Sequence, residues 1–380
     1  GNDANLYGWT TTDGEIDTLL AIINAGEKKD DQESKSLLQL FLNMSDDTDI
    51  VEEFLSYDYD TLGVIENSLA KSNVINCIIA GFVQDFSING TKIVLPNLCL
   101  KAVGNKKKIS SDLNLFTIMK QTDLYSIIKS DDMVNDIINF LFDTEMLDTI
   151  FSNKIINTIM TQALISLSSD SVTIVVPYTS YTDEALAAND KIIKTTELTG
   201  AIEILKTLFE TDAEGKYDIS KINYNKILDI YLDKTDIIGA TVANIVRTKI
   251  KDPIKLPAAM KNSDLEVNYV SSGWKEEIKA LIDGLKALKI IFDNDGNVSF
   301  EINDIVKNLK NVAEGSSKTN LERLYESDIL KLTLYNAIAS NTDAIKIPED
   351  SVDLLYNVKD DKDIIKSEVE TLISIIDDLN

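Results

Sequence analysis

The sequence predicts a mainly α-helical protein, a tandem repeat of about 80–90-residue units stacked as a solenoid or a string of small bundles. Three observations predict it. Four of the five prolines close an Ile-x-apolar-Pro phrase, at Pro96, Pro177, Pro257 and Pro348, with intervals of 81, 80 and 91 residues. A residue able to cap a helix stands 21 to 24 residues before each of these prolines. A glutamate heading an amphipathic run follows three of them at a constant 20 residues.

The proline phrases are Ile93-Val94-Leu95-Pro96, Ile174-Val175-Val176-Pro177, Ile254-Lys255-Leu256-Pro257 and Ile345-Lys346-Ile347-Pro348. Turn-forming residues precede each, as in Asn89-Gly90 and Ser168-Ser169-Asp170, so each phrase reads as a short buried β-strand entered by a turn and stopped by proline. The capping residues are Ser72, Asn153, Thr235 and Ser327, whose side-chain oxygens suit the free N–H groups of a helix start.

Downstream, Glu197, Glu277 and Glu368 each begin a helical run of apolar residues. Glu15 heads a further copy with no proline phrase before it, and Asp112, only 16 residues after Pro96, is a looser match. The spacing from proline to glutamate is constant while the intervening sequence diverges, which predicts an ordered connector rather than a free linker. A third helix, ending in phrases such as Leu321-Glu322-Arg323-Leu324, runs directly into the capping residue and predicts a tight helical corner. The units so defined are 15–111, 112–196, 197–276 and 277–367, with 368–380 the first helix of a further, incomplete unit. After two of the glutamate-headed helices, acidic and glycine residues followed by alternating apolar ones predict a helix stop and a short strand that pairs with the proline phrase.

Composition narrows function. A net charge of -26 with two arginines, Arg247 and Arg323, argues against nucleic acid, because a polyanion demands cationic surface and the only basic run is Lys106-Lys107-Lys108. The same field favours cations or basic partners. No apolar run approaches a membrane span, so direct membrane insertion is not expected. The absence of histidine removes imidazole-dependent triads and the commonest metal ligand. No phosphate-binding glycine loop, nucleophile elbow, zinc spacing or dinucleotide fingerprint occurs, so neither a catalytic residue nor a cofactor is assigned and a non-enzymatic role is expected. The opening Gly-Asn-Asp-Ala-Asn reads as the trimmed end of something longer.

Four sets of residues carry possible chemistry. Asp293, Asp295, Asn297 and Asp304 have the spacing of ligands in a calcium loop, although Val298 stands where the sharp turn requires glycine; a capped turn is the competing reading. Cys77 and Cys99 are the only cysteines, and read as two buried thiols or as one local disulfide. Trp9 and Trp274 follow glycines and precede Glu15 and Glu277; with Tyr178 and Tyr181 they are recognition aromatics for a protein or glycan, or else packing residues. The glutamates heading the helices suit the N-terminal helix dipole, which accounts for them without catalysis.

With its Ile-x-apolar-Pro and glutamate-headed phrases, the chain resembles repetitive, lysine-, isoleucine- and asparagine-rich surface proteins of low-GC Gram-positive bacteria or their wall-less relatives. The resemblance implies an exported, cell-associated protein, a spacer or an adhesive or partner-binding array. An intracellular helical scaffold and a carboxylate-dependent hydrolase acting on carbohydrate are the alternatives.

Overall fold

The computed structural model describes residues 50–339 apart from scattered positions, together with Glu15, Ile16, Thr18, Leu20, Thr371 and Ser374. Trp9, Asp295, the phrase ending at Pro348, and Glu368 lie outside the described residues. The protein is mainly α-helical, and its chain forms two compact units. One runs to Ser169 and resumes over Ser180–Asn223; the other takes Asp170–Thr179 and continues from Tyr224.

In the first unit the elements are α1 (Ile50–Leu55), α2 (Asn73–Asp85), the hairpin β1 (Ser87–Ile88) and β2 (Thr91–Lys92), and the hairpin β3 (Leu100–Val103) and β4 (Lys106–Ile109). Then come α3 (Leu115–Gln121), α4 (Leu124–Ile128), α5 (Met133–Asp143), α6 (Leu147–Ser152), α7 (Lys154–Ser166), α8 (Asp183–Ala188) and α9 (Thr195–Leu208), closed by the hairpin β5 (Phe209–Thr211) and β6 (Tyr217–Ile222). The second unit contains α10 (Asp236–Lys249), α11 (Ala258–Lys261), α12 (Leu265–Asn268), α13 (Trp274–Ile291), the hairpin β7 (Asp293–Asn294) and β8 (Asn297–Val298), α14 (Ile302–Lys310), α15 (Asn320–Glu326) and α16 (Asp328–Ala339).

The capping residues lie where cap chemistry predicts. Ser72 Oγ accepts from Ile75 N–H at 3.1 Å, Asn153 Oδ1 from Ile155 and Ile156 N–H at 3.0 Å, Thr235 Oγ1 from Ile237 N–H at 3.2 Å, and Ser327 Oγ from Leu330 N–H at 3.1 Å. Each satisfies donors that a helix start leaves without intrahelical partners, a contribution of about 1 kcal/mol per cap. Three are the single residue at a helical corner: Asn153 between α6 and α7, Thr235 between a 3-10 turn (Leu232–Lys234) and α10, and Ser327 between α15 and α16. All four caps are buried, so the corners are interior features rather than surface turns.

The three described proline phrases are not strands. Among the described residues none of them pairs in a sheet, the third opens on a bend where Ile254 N–H donates to the Lys251 carbonyl, and a helical turn begins directly after each proline: Asn97–Cys99, Tyr178–Ser180 and α11. Ile93 and Leu95 are buried while Val94 is 69% exposed, so the alternation that reads as a strand comes from an extended chain laid on helices. Side chains do the work of a ladder. Val175 N–H donates to Thr241 Oγ1 of α10, and Lys255 N–H to Thr333 Oγ1 of α16, each at 3.1 Å. Pro96 and Pro257, near φ -59 and -53 with ψ 138 and 141, hold the polyproline geometry that leads into the following turn. Among the described residues, the strands after the glutamate-headed helices likewise do not pair with the proline phrases. β6 pairs with β5 and β8 with β7, because two-strand hairpins close locally at little entropic cost.

In the second unit α13 buries Trp274, Ile278, Leu281, Ile282 and Ile291 at helical spacing, and packs most extensively on α15. Gly284 permits that approach, since a Cβ there would run into Leu330 and lie 3.4 Å from the Arg323 carbonyl. Arg323 grips Asp283 with a bidentate pair, Nε to Oδ2 at 2.9 Å and Nη2 to Oδ1 at 2.7 Å, and its Nη1 donates to Asn320 Oδ1 at 2.9 Å.

Replacing Thr241 or Thr333 by valine leaves a phrase N–H without its acceptor. Each substitution is expected to lower unfolding free energy by about 1–2 kcal/mol in urea denaturation, while serine at either position restores most of it. Equal stability of the valine and serine variants would show that the hydroxyls do not anchor the phrases.

Candidate functional site

Among the described residues, buried carboxylates cap helices remote in sequence. Glu15 lies in a helical turn and is 2% exposed. Its Oε1 accepts from Ser72 Oγ and, at 3.1 Å, from Val74 N–H, and its Oε2 accepts from Asn73 N–H at 2.9 Å. Glu277, in the first turn of α13 and 5% exposed, repeats this set of bonds. Its Oε1 accepts from Ser327 Oγ at 2.6 Å and Ile329 N–H at 3.0 Å, and its Oε2 from Asp328 N–H at 2.8 Å.

These glutamates therefore do more than complement the dipole at the start of their own helix. Each carries a charge into the N-terminus of another helix, α2 or α16, where the capping serine both donates to the carboxylate and accepts from the next turn. Glu66 makes a related contact, accepting from Thr117 N–H at 2.8 Å and Thr117 Oγ1 at 2.6 Å in the first turn of α3. Glu197 accepts from Ser180 Oγ at 3.0 Å, and Asp112 from Cys99 Sγ at 3.3 Å, so two of these acids hold the residue three places after a phrase proline. Asn153 Nδ2 also donates to the Asp112 carbonyl at 3.0 Å.

Burial pushes the Glu277 and Glu66 carboxyls above the ordinary 4.5, opposed at Glu277 by the bonds from Ser327, Ile329 and Asp328 and at Glu66 by those from Thr117 and Phe116. The direction is that of a general acid, but the geometry is not. Both Glu277 oxygens are filled by the protein and turned into its interior, leaving no approach for a substrate.

The remaining candidates are dispersed. Asp293 and Asn297 stand on the facing strands β7 and β8, with register Asp293↔Val298 and Asn294↔Asn297, while Asp304 belongs to α14. The Asp293 carbonyl accepts from Asn308 Nδ2 at 3.0 Å, and among the described residues no three Asp, Glu or Cys side chains group as a metal cluster. Cys77 and Cys99 are free thiols. Burial raises both, that of Cys99 to about 12, which makes it a poor nucleophile. Trp274 is wholly buried, its Nε1 donating to Ser263 Oγ at 2.7 Å and to the Met260 carbonyl at 3.3 Å, so it fills a notch and presents no face to a ligand. Tyr181 is buried and its backbone bridges antiparallel to Ile193, whereas Tyr178 is 48% exposed.

The exposed variety lies in the connectors. After Pro96 the chain forms β3 and β4, after Pro177 it forms α8, and after Pro257 α11 and α12. The connectors are anchored by side chains: Asp190 accepts from Asn97 N–H at 2.7 Å and Leu98 N–H at 2.8 Å, tying the first connector to the second. The β3–β4 hairpin escaped the sequence reading although Val103-Gly104-Asn105-Lys106 carries its signal, a two-residue turn with glycine at positive φ. A cavity of about 30 Å³ lies in the first unit, walled by α5, α7 and α9 through residues such as Ile138, Phe142, Met160 and Ile202. With no polar group to orient a ligand, it is a packing gap. The sequence matches no known protein-family model, and no curated protein or solved structure matches it.

Replacing Glu277 by alanine leaves the Ser327 hydroxyl and two N–H groups without an acceptor, and is expected to cost about 2–3 kcal/mol at pH 7 by chemical denaturation. Acidity gives a second signature. Because the folded carboxyl is raised above the unfolded 4.5, its share of stability is present at low pH and lost as pH rises through the folded value. From pH 7 down to 4.5 the wild type should therefore gain stability more steeply than Glu277→Gln. Identical slopes would remove Glu277 as a titrating group.

Proposed function

We propose that this chain is a non-enzymatic repeat module of an exported surface protein, a constant helical frame that displays variable connectors to a protein or glycan partner. The observation that carries the reading is the duplicated carboxylate cap. Glu15 with Ser72 and Glu277 with Ser327 make the same set of bonds on helices more than 250 residues apart in the chain. Two phrase-to-threonine bonds, Val175 to Thr241 and Lys255 to Thr333, form a second matched pair, with each threonine six residues after its cap. The matched bond sets support divergence from one ancestral unit, with spans of 57 and 50 residues for the serine–glutamate caps and 66 and 78 for the threonine bonds.

On this reading the units are 15–111, 112–196, 197–276 and 277–367, with 368–380 opening another. Frame residues face inward and are tied by hydrogen bonds, so divergence concentrates in the connectors, which differ in type: a hairpin, a short acidic helix, and two single helical turns. Such an arrangement separates stability from recognition. An intracellular scaffold would use the same architecture, and export of the full-length protein distinguishes the two.

The test is a glycan-array and pull-down screen with the whole chain, followed by substitutions in the connectors, such as Tyr178→Ala. The expected result is a captured ligand that is lost on connector substitution while the thermal midpoint is unchanged. Turnover of a carbohydrate substrate, or a ligand indifferent to every connector change, would overturn the proposal.

A further inference from the structure

Between Asp85 and Asp112 the chain contains no acidic residue and five lysines, in a protein whose net charge is -26. Four of them, Lys101, Lys106, Lys107 and Lys108, stand on the β3–β4 hairpin. Lys101 is directly opposite Lys108, a cross-strand pairing of like charges that costs stability, and none of the four forms an ion pair among the described residues. A chain with 63 acidic residues has ample means to neutralise them.

Among the described residues the hairpin also has a partly open edge. The bond from Ser110 N–H to the Cys99 carbonyl at 2.8 Å sets the alternation of the ladder. Residue pairs Lys101/Lys108 and Val103/Lys106 accordingly bond to each other, and the N–H and C=O groups of Leu100 and Ala102 point away from β4. The Leu100 N–H donates to the Asn97 carbonyl, whereas no hydrogen bond among the described residues takes up the Leu100 carbonyl or the N–H and C=O of Ala102. β4, on the other side, packs against α2.

We propose that the β3 edge is a docking site for an extended acidic segment of a partner polypeptide, which adds as a third strand. Backbone bonds to the Leu100 carbonyl and to the N–H and C=O of Ala102 supply the pairing, and Asp or Glu at alternate positions of the partner meet the lysines. Side chains on one face of a strand repeat every two residues, so an acidic strand matches the hairpin's own period. The hairpin has no aromatic residue on which a nucleotide base or sugar ring would stack, and no exposed large apolar residue to enter a lipid surface. Lysines on an edge also guard against indiscriminate pairing, and here they select the charge of the strand that is admitted. This rests on the connectors being the recognition surface, and names what one of them recognises.

The test uses the full chain and a fluorescent nine-residue peptide alternating Glu and Thr, read by anisotropy. Binding is expected to weaken about tenfold between about 50 and 200 mM salt. It should fall in the K101Q/K108Q variant and vanish in Ala102→Pro, which removes an outward N–H without breaking a hairpin bond and leaves the thermal midpoint unchanged. A peptide alternating Lys and Thr should not bind. Three results would overturn the proposal: no binding of the acidic peptide, binding that survives Ala102→Pro, or preference for a sulfated oligosaccharide or duplex DNA that is insensitive to that variant. None of these would touch capture of other ligands through the second or third connector, so the broader reading fails or stands separately.

Discussion

A buried carboxylate reaching into the N-terminus of a distant helix is the interaction on which the described frame depends. A helix start presents unsatisfied N–H groups and positive partial charge, and burying it without an acceptor costs several kcal/mol. Ser327 and Ser72 satisfy one donor each; Glu277 and Glu15 satisfy two more and bond the serine hydroxyl itself. The helix bearing the glutamate is thereby fixed against the helix bearing the cap. Within the second unit the corner at Ser327, the Arg323 grip on Asp283 and the close approach at Gly284 all follow from α13 lying against α15 and α16.

Much of the helical frame was legible because its signals are local. Ser72, Asn153, Thr235 and Ser327 cap helices as their position before apolar runs implies, since an N-cap is decided within three residues. The carboxylate partner was not legible in the same way. Glu277 lies 50 residues from Ser327, and the dipole of its own helix already accounts for an acid at that place. The proline phrases misled for a different reason. A short apolar run entered by a turn and stopped by proline marks a segment to be covered, and a strand additionally requires a neighbour; Val175 and Lys255 found threonine hydroxyls instead.

The candidate site was less legible than the frame. Trp274 reads from sequence as a packing residue or a recognition aromatic, and the structure gives the first: it is the largest fully buried side chain among the described residues, its indole N–H having Ser263 as a partner in the interior. In the sequence the basic run at Lys106–Lys108 reads as a small offset to the net charge of the whole chain. Its meaning depends on the hairpin that sets Lys101 beside it, a relationship carried by the Gly104-Asn105 turn. On the proposed reading, recognition falls to surfaces whose chemistry changes from connector to connector above helix caps of one kind.

Hydrogen exchange at the two matched caps tests the account most directly. First-turn amides of a helix lack intrahelical acceptors and ordinarily exchange freely. If Glu15 and Glu277 hold them as described, Asn73 and Val74, and equally Asp328 and Ile329, will be protected as strongly as the interiors of α2 and α16, and protection at the second pair will be lost in Glu277→Ala alone. Free exchange at these amides in the wild-type protein would contradict the carboxylate caps and, with them, the matched frame.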